Sequence, residues 1–146
     1  MRQQEGEALK KDLLERVEVI KENVEKIVNK GPESVETYFN KIKEKAKQLV
    51  KDIAEYSDRL EMELALLAEK ADVTEECVRL KSHIEIFIDT INNSDEIGRK
   101  LNFICQEMNR EANTINSKSL STEISHFGIG IKEELEKIRE QIQNIE

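Results

Sequence analysis

The chain has 146 residues, which is enough for one compact domain with a hydrophobic core. Charged residues make up 37% of it and aromatic residues only 4%, a balance that suits long helices with narrow apolar stripes. The formal net charge of -8 excludes a generically basic nucleic-acid binder, because neutralising phosphates requires clustered Lys and Arg, so any such site must be local. One Pro and five Gly supply few of the tight turns that an all-β fold needs, and we predict an all-α helical bundle.

The sequence carries no signal of a membrane or secretory location. No apolar run approaches the roughly 20 residues of a transmembrane helix, and no signal-peptide pattern opens the chain. Cys77 and Cys105 are too few for a disulfide framework, and both lie beside apolar stripes. We expect reduced core thiols and a cytoplasmic protein.

Residues 1–56 are predicted to form a long antiparallel helical hairpin. Apolar residues recur at threes and fours over residues 9–27 and again over residues 35–53, as on one face of a helix. Between the two stripes, NKGPES offers Gly31 as a left-handed C-terminal cap and Pro32 for the first turn of the next helix. We therefore expect a turn there, with each helix covering the stripe of the other.

Residues 57–146 are predicted to add four further helices to the same single domain of residues 1–146. Ser57 and Asp58 offer an N-cap for a short third helix. Asp72 and Glu75 have the spacing of a capping box, which predicts the start of a fourth helix.

The last two helices are predicted over residues 96–116 and 124–145. The second of them repeats Ile, Leu and Phe at the heptad spacing of a bundle seam. Gly128 and Gly130 each weaken its first half by about 1 kcal/mol relative to Ala, so we expect a kink or disorder there.

Residues 106–114, QEMNREANT, place amides, carboxylates and a guanidinium along one amphipathic helix. On a helical wheel Asn109 and Asn113 line one border of the apolar arc, and Glu107 and Glu111 line the other with their carboxylates about 6 Å apart. Like charges so placed repel each other unless Lys or Arg neighbours neutralise them or a divalent metal lies between them. Both interpretations stay open.

The preceding helix gathers ionisable side chains along one edge of its apolar arc: Asp72, Glu76, Arg79 and His83. His83 could ligate a metal or accept a proton near neutral pH as a neutral imidazole, or it could be a hydrogen-bonded structural group. Glu76 and Arg79 are three residues apart and could simply pair with each other.

Three stretches carry a resemblance to a known family. They are RLEMELALLAEKADVTEECVRLKSHIEIF, GRKLNFICQEMNREANTINSKS and KEELEKIREQIQNIE, and the opening MRQQEGEALKKDL is similar to the family segment that begins this half. Together they resemble the second half of the YicC/YloC family of bacterial proteins. QEMNREANT and IREQIQNIE are its most specific signatures, and SHFGIGIKEEL departs from the family's uninterrupted aliphatic pattern.

The resemblance implies a cytoplasmic endoribonuclease that cleaves single-stranded or structured RNA with a divalent metal of the Mg or Mn type. It also implies a ring-shaped homo-oligomer around the RNA and no membrane partner. Family members have an additional N-terminal domain of comparable size that this chain lacks, so we expect a fragment.

The residues supply candidates for that implied activity, since metal-assisted phosphodiester cleavage needs hard ligands and donors that hold the backbone. Glu107 and Glu111 are the predicted metal ligands, with His83 as a third ligand or general base, and these three form the predicted catalytic set. The predicted RNA contacts are Arg79, Arg99, Lys100, Asn109, Arg110, Asn113, Lys118 and Arg139.

Three interpretations follow from the sequence. In the first, this helical domain is the RNA-binding and catalytic part of the metal-dependent nuclease. In the second, it is a non-catalytic RNA clamp and oligomerisation module of the same protein. In the third, the polar borders only pair helices together, and the chain is a structural helical module.

Overall fold

The computed structural model describes residues 2–49, 57–93 and 97–144, and within these ranges all five regular elements are α-helices. They are α1 (Arg2–Leu49), α2 (Ser57–Ala71), α3 (Thr74–Asn93), α4 (Ile97–Lys118) and α5 (Thr122–Gln143). The predicted all-α bundle is confirmed. Residues 50–56, the end of the predicted hairpin, lie outside the described residues.

Four helices form the bundle: the first part of α1 together with α3, α4 and α5. Each packs against two others, because α1 contacts α3 and α5 while α4 contacts the same two. Ion pairs fix the direction of α1 against α5: Arg16 contacts Glu134 and Lys30 contacts Glu123, so the two helices run antiparallel. The helices therefore close a square around one core.

The core consists of the apolar stripes that the sequence pattern predicts. The largest fully buried side chains are Leu13, Ile20, Ile27, Leu80, Phe87, Ile91, Leu101, Met108, Ile115, Ile131, Leu135 and Ile138. Each fully buried side chain of this size contributes about 1.5–3 kcal/mol of hydrophobic free energy. This burial holds α3 and α4 side by side, which positions the polar residues described below.

The predicted turn at Gly31 and Pro32 is wrong, and with it the hairpin over residues 1–56. α1 continues through both residues as one helix of 48 residues, and Gly31 does not have the positive φ of a left-handed cap. A residue before proline usually avoids the helical region because its Cβ meets the proline ring. Gly31 has no Cβ to meet the ring of Pro32, and α1 passes through this pair without a break.

The second part of α1 leaves the bundle. No described side chain between Gly31 and Leu49 is fully buried, although the apolar stripe continues in this segment. α2 packs against α1, so the two helices form an arm beside the four-helix core. The predicted second helix is therefore the distal half of α1.

The start of α3 differs in detail from the predicted capping box. The helix begins at Thr74, and the Asp72 carboxylate accepts hydrogen bonds from the Thr74 backbone N–H and hydroxyl. Those two bonds, the hydroxyl first, lower the pKa of Asp72. Asp72 thus stabilises the first turn through Thr74 and not through a capping box with Glu75.

The predicted kink at Gly128 and Gly130 is also wrong, since α5 runs unbroken from Thr122 to Gln143. Gly128 is buried, and an added Cβ would collide with Oδ1 of Asn116 and lie 2.9 Å from its Cγ. An added Cβ at Gly130 would lie 3.3 Å from Nδ2 of Asn23. The two glycines let asparagines of α4 and α1 approach the α5 backbone.

We expect Gly128→Ala to lower the free energy of unfolding by about 1–3 kcal/mol, because the new methyl group collides with Asn116. Urea unfolding monitored by circular dichroism measures the change. Adding Asn116→Ala should recover much of the loss. The control Gly6→Ala, where a Cβ meets nothing within 4 Å, should be neutral or stabilising by up to about 1 kcal/mol. Equal losses at both positions would contradict the close approach at Gly128.

Both cysteines are free and buried, as predicted. Burial raises the pKa of Cys77 to about 11 and that of Cys105 to about 12. Both thiols therefore stay protonated where an exposed thiol would begin to ionise.

We expect the folded chain at about pH 8 to react with iodoacetamide far more slowly than the urea-unfolded chain. Stability should also contain a component that falls as the pH rises from 9.0, the ordinary value, towards 11, because the unfolded thiols lose their protons first. A Cys77→Ala, Cys105→Ala variant, titrated in parallel, should lose that component. Rapid alkylation of the folded chain would contradict the burial.

Candidate functional site

A cluster of five charged side chains bridges α3 and α4, and we call it the charge cluster: Glu75, Glu76, Arg79, Glu111 and Lys118. Arg79 Nε donates to Glu111 Oε1 at 2.9 Å, which joins the two helices. Lys118 Nζ donates to Glu76 Oε1 at 2.8 Å and joins them a second time, nearer the C-terminal end of α4. The antiparallel register of the hairpin brings these residues together.

The two central carboxylates are buried. Glu76 is 2% exposed and Glu111 is 7% exposed, whereas the side chain of Arg79 is 47% exposed and that of Lys118 is 36% exposed. Buried carboxylates are costly unless they are paired and hydrogen-bonded, and here each is bonded by a cation of the neighbouring helix. Oε2 of Glu76 is buried without a hydrogen-bond partner among the described residues.

The cluster also raises the pKa of Arg79. Its hydrogen bond to Glu111 is the largest cause of a raised pKa, with Glu75 and Glu76 contributing further. The guanidinium is charged at all physiological pH values in any case. The cluster therefore combines a permanent cation with the two buried carboxylates of Glu76 and Glu111.

The remaining members of the predicted catalytic set lie one helical turn away. The Arg79–Glu111 and Lys118–Glu76 contacts show that α3 and α4 are antiparallel. His83, four residues after Arg79, therefore lies at the level of Glu107, four residues before Glu111. Both side chains are partly buried. No hydrogen bond or ion pair joins them in the part of the chain that the structure describes.

The predicted three-ligand metal centre is not assembled within one chain. Across residues 2–49, 57–93 and 97–144, no group of three or more His, Cys, Asp or Glu side chains is placed to hold a metal ion. Glu111 is engaged by Arg79, which is the neutralised alternative left open by the sequence. The residues that the structure describes thus do not fit a metal held by His83, Glu107 and Glu111 together.

The predicted RNA contacts are spread over the bundle. Arg110 and Asn113 are exposed on α4 and Asn109 beside them is partly buried. Arg99 and Lys100 are exposed in the first turn of α4, about 27 Å along the helix from its end. Of the eight predicted contacts, only Arg79 and Lys118 belong to the charge cluster.

Arg139 lies apart from the others on α5. It is close enough to Cys105 to oppose the rise in the pKa of that thiol, and its nearest carboxylate is Glu136 at 4.0 Å. Since its ion pair is with Glu136 of its own helix and with no member of the charge cluster, Arg139 does not extend that cluster.

Sequence reasoning missed the role of Glu76. Its position on the edge of the predicted helix and its spacing from Arg79 were visible, but its burial and its bond to Lys118 were not. That bond spans 42 positions, so only the register of the α3–α4 hairpin could reveal it.

A separate groove of about 660 Å³ lies where the arm leaves the bundle. Its lining is mainly apolar and includes Ile27, Pro32, Val73 and Leu120. None of the predicted site residues lines it. This groove is therefore distinct from the charge cluster.

The fold and cluster define a helical bundle with a polar, partly basic face on one hairpin. The domain family described as "Endoribonuclease YicC-like, C-terminal" matches residues 27–146. Since this match covers most of the sequence, the chain belongs to that family, and the resemblance seen in its signature motifs is confirmed.

Two curated relatives agree with this assignment. The chain is 45% identical over 147 residues to a protein named "Probable endoribonuclease YicC" from Clostridioides difficile (strain 630), which covers 100% of the chain and 50% of that relative. It is 43% identical over 84 residues to a protein of the same name from Haemophilus influenzae, which covers 58% of the chain and 29% of that relative. The chain spans about half the length of the first relative.

Membrane insertion finds no support in the helices that the structure describes, because none of them combines the length and the apolar character that a membrane span requires.

We expect Lys118→Ala to lower the free energy of unfolding by about 1–2 kcal/mol, because the buried Glu76 carboxylate loses its closest donor. A matched control is Lys47→Ala, which removes a lysine whose partner Glu44 is exposed, and it should change stability by less than about 0.5 kcal/mol. Urea unfolding compares the two variants. A loss no greater than that of the control would show that the Glu76 pair adds nothing to stability.

Proposed function

We propose that this chain is the RNA-binding and catalytic helical domain of a metal-dependent bacterial endoribonuclease that cleaves single-stranded or structured RNA. Membership of the family and the names of its relatives support the reaction class. A ring-shaped homo-oligomer in the cytoplasm is part of the same proposal.

The observation that carries the proposal is a set of exposed or partly exposed cations on the α3–α4 hairpin. Arg110 is exposed on α4, and the side chains of Arg79 on α3 and Lys118 on α4 are 47% and 36% exposed. Guanidinium and ammonium groups donate hydrogen bonds to phosphate oxygens and base edges. In a protein of net charge -8, such a local concentration of donors is what an RNA contact requires.

The composition favours recognition of backbone and shape over recognition of sequence. Aromatic residues make up 4% of the chain, and unstacked RNA bases are usually held by stacking on aromatic side chains. Arginine and amide contacts along α4 suit a backbone whose charge and hydroxyl groups repeat at every nucleotide.

The divalent metal of the proposal does not fit the predicted ligand set within one chain. Glu111 bonds Arg79, and His83 and Glu107 are not joined to it as a group. We therefore assign no step of the cleavage reaction to a metal held by these three residues. The roles of His83 and Glu107 stay predictions.

The same observation favours the second function, a non-catalytic RNA clamp and oligomerisation module. In that case the residues of the α3–α4 hairpin bind RNA, and the groups that cleave it belong to the part of the longer relatives that this chain does not match. The two functions share RNA binding and differ in whether Glu107 and Glu111 affect turnover.

The deciding experiment assays RNA binding and cleavage separately, for this chain and for the full-length C. difficile relative, over a titration of Mg²⁺ and Mn²⁺. We expect both proteins to bind RNA and cleavage to depend on the metal. A Glu107→Gln, Glu111→Gln variant should lose cleavage at saturating RNA by about 100-fold or more if these carboxylates act in the reaction. Normal cleavage by that variant would remove the catalytic assignment, and binding without turnover by this chain would favour the clamp. RNA binding by neither protein would refute both functions.

A further inference from the structure

One buried carboxylate oxygen holds two cations of different helices. Oε1 of Glu76 accepts a hydrogen bond from Lys118 Nζ at 2.8 Å and from Arg79 Nη2 at 3.5 Å. Because both nitrogen atoms bond the same oxygen, they cannot lie farther apart than these two distances together. A lysine of α4 and an arginine of α3 therefore present their charges side by side.

Arg79 is held on three sides. In addition to the bond to Glu76, Nε donates to Glu111 Oε1 at 2.9 Å and Nη1 donates to Glu75 Oε2 at 3.5 Å. A guanidinium has five N–H donors, so one donor on Nη1 and one on Nη2 remain for another acceptor. With 47% of the side chain exposed, an acceptor can reach them from solvent.

Lys118 also has hydrogen-bond donors that are not used within the cluster. Its ammonium has three donors, of which Glu76 takes one, and 36% of the side chain is exposed. Two adjacent cations with spare donors match the several oxygens of a phosphate group, and arginine binds them in a fixed fork.

We propose that Arg79 and Lys118 clamp a single RNA phosphate between them, and that Glu76 and Glu111 are positioning residues for these cations and not metal ligands. This inference rests on the proposed function, since it names the residues that make one of its RNA contacts. It agrees with the misfit of the metal, because Oε1 of each buried carboxylate already bonds a cation and two nearby cations repel a divalent ion.

The charges around the clamp determine whether the carboxylate of Glu75 strengthens or weakens RNA binding. Glu76 and Glu111 balance Arg79 and Lys118 one for one, so these four side chains together are neutral. Glu75, whose side chain is 84% exposed, and the exposed Asp72 near Lys118 add negative charge that opposes a phosphate. Removing the Glu75 charge should therefore strengthen RNA binding, whereas it would weaken binding of a metal.

The test measures fluorescence anisotropy of a fluorescein-labelled single-stranded oligoribonucleotide with the full chain in EDTA, over a series of KCl concentrations. For single strands, each neutralised phosphate contributes about 0.7 to the slope of log affinity against log salt. We expect an Arg79→Gln, Lys118→Gln double variant to lose about 0.7 of the slope, the value of one phosphate. The matched control, Arg59→Gln with Lys70→Gln on α2, removes the same two charges from exposed positions outside the cluster and should leave the slope unchanged.

Two further measurements test the clamp even if the double variant does not fold. One measures RNA binding by a variant at an exposed site, and the other measures metal binding. Glu75→Gln should bind the oligoribonucleotide about twofold more tightly than the parent sequence. Glu111→Gln keeps an acceptor for Arg79 Nε, and its binding of Mn²⁺ alone, followed by electron paramagnetic resonance, should equal that of the parent sequence.

The outcomes separate this inference from the proposed function. An unchanged slope in the double variant, a loss of twice the expected value, weaker RNA binding by Glu75→Gln or loss of Mn²⁺ binding by Glu111→Gln each overturns the clamp while the RNA-binding function stands. Absence of RNA binding by the parent chain at every salt concentration overturns the proposed function itself.

Discussion

The structure depends on the burial of one apolar stripe from each of four helices in a single core. Leu80 and Phe87 of α3 face Leu101 and Met108 of α4 in that core, and all four are fully buried. This packing sets the antiparallel register of the α3–α4 hairpin. Core packing thereby brings the polar side chains at the border of the two helices together. Ion pairs then join them in the charge cluster.

The elements were largely predictable from the sequence, because amphipathic periodicity and helix length depend on neighbouring residues. The two errors came from glycine and proline, whose effect depends on context. Gly31 was interpreted as a terminator, yet it lacks the Cβ that would meet the ring of Pro32, and α1 continues through both residues. Gly128 was interpreted as a weak point, yet it makes room for Asn116 from another helix. The contact at Gly128 does not exist in a single helix taken alone.

The candidate site was less predictable than the fold. The sequence placed Glu76, Arg79 and Glu111 on helix borders, and it left open whether Glu111 meets a metal or a basic neighbour. Arg79 bonds Glu111 across 32 positions, which only the register of two packed helices determines. The family was recognisable from short motifs, because a motif is identified by the order of its residues and not by their contacts in the fold.

The continuity of α1 gives the molecule an uneven shape. At 1.5 Å per residue its 48 residues span about 70 Å, whereas the 22 residues of α4 or α5 span about 33 Å. The helices α4 and α5 are thus less than half as long as α1, and the second part of α1 extends beyond the four-helix core. A molecule with such a projecting helix should rotate and sediment more slowly than a sphere of 16.9 kDa. A force applied at the far end of α1 would reach the core through the backbone of one helix.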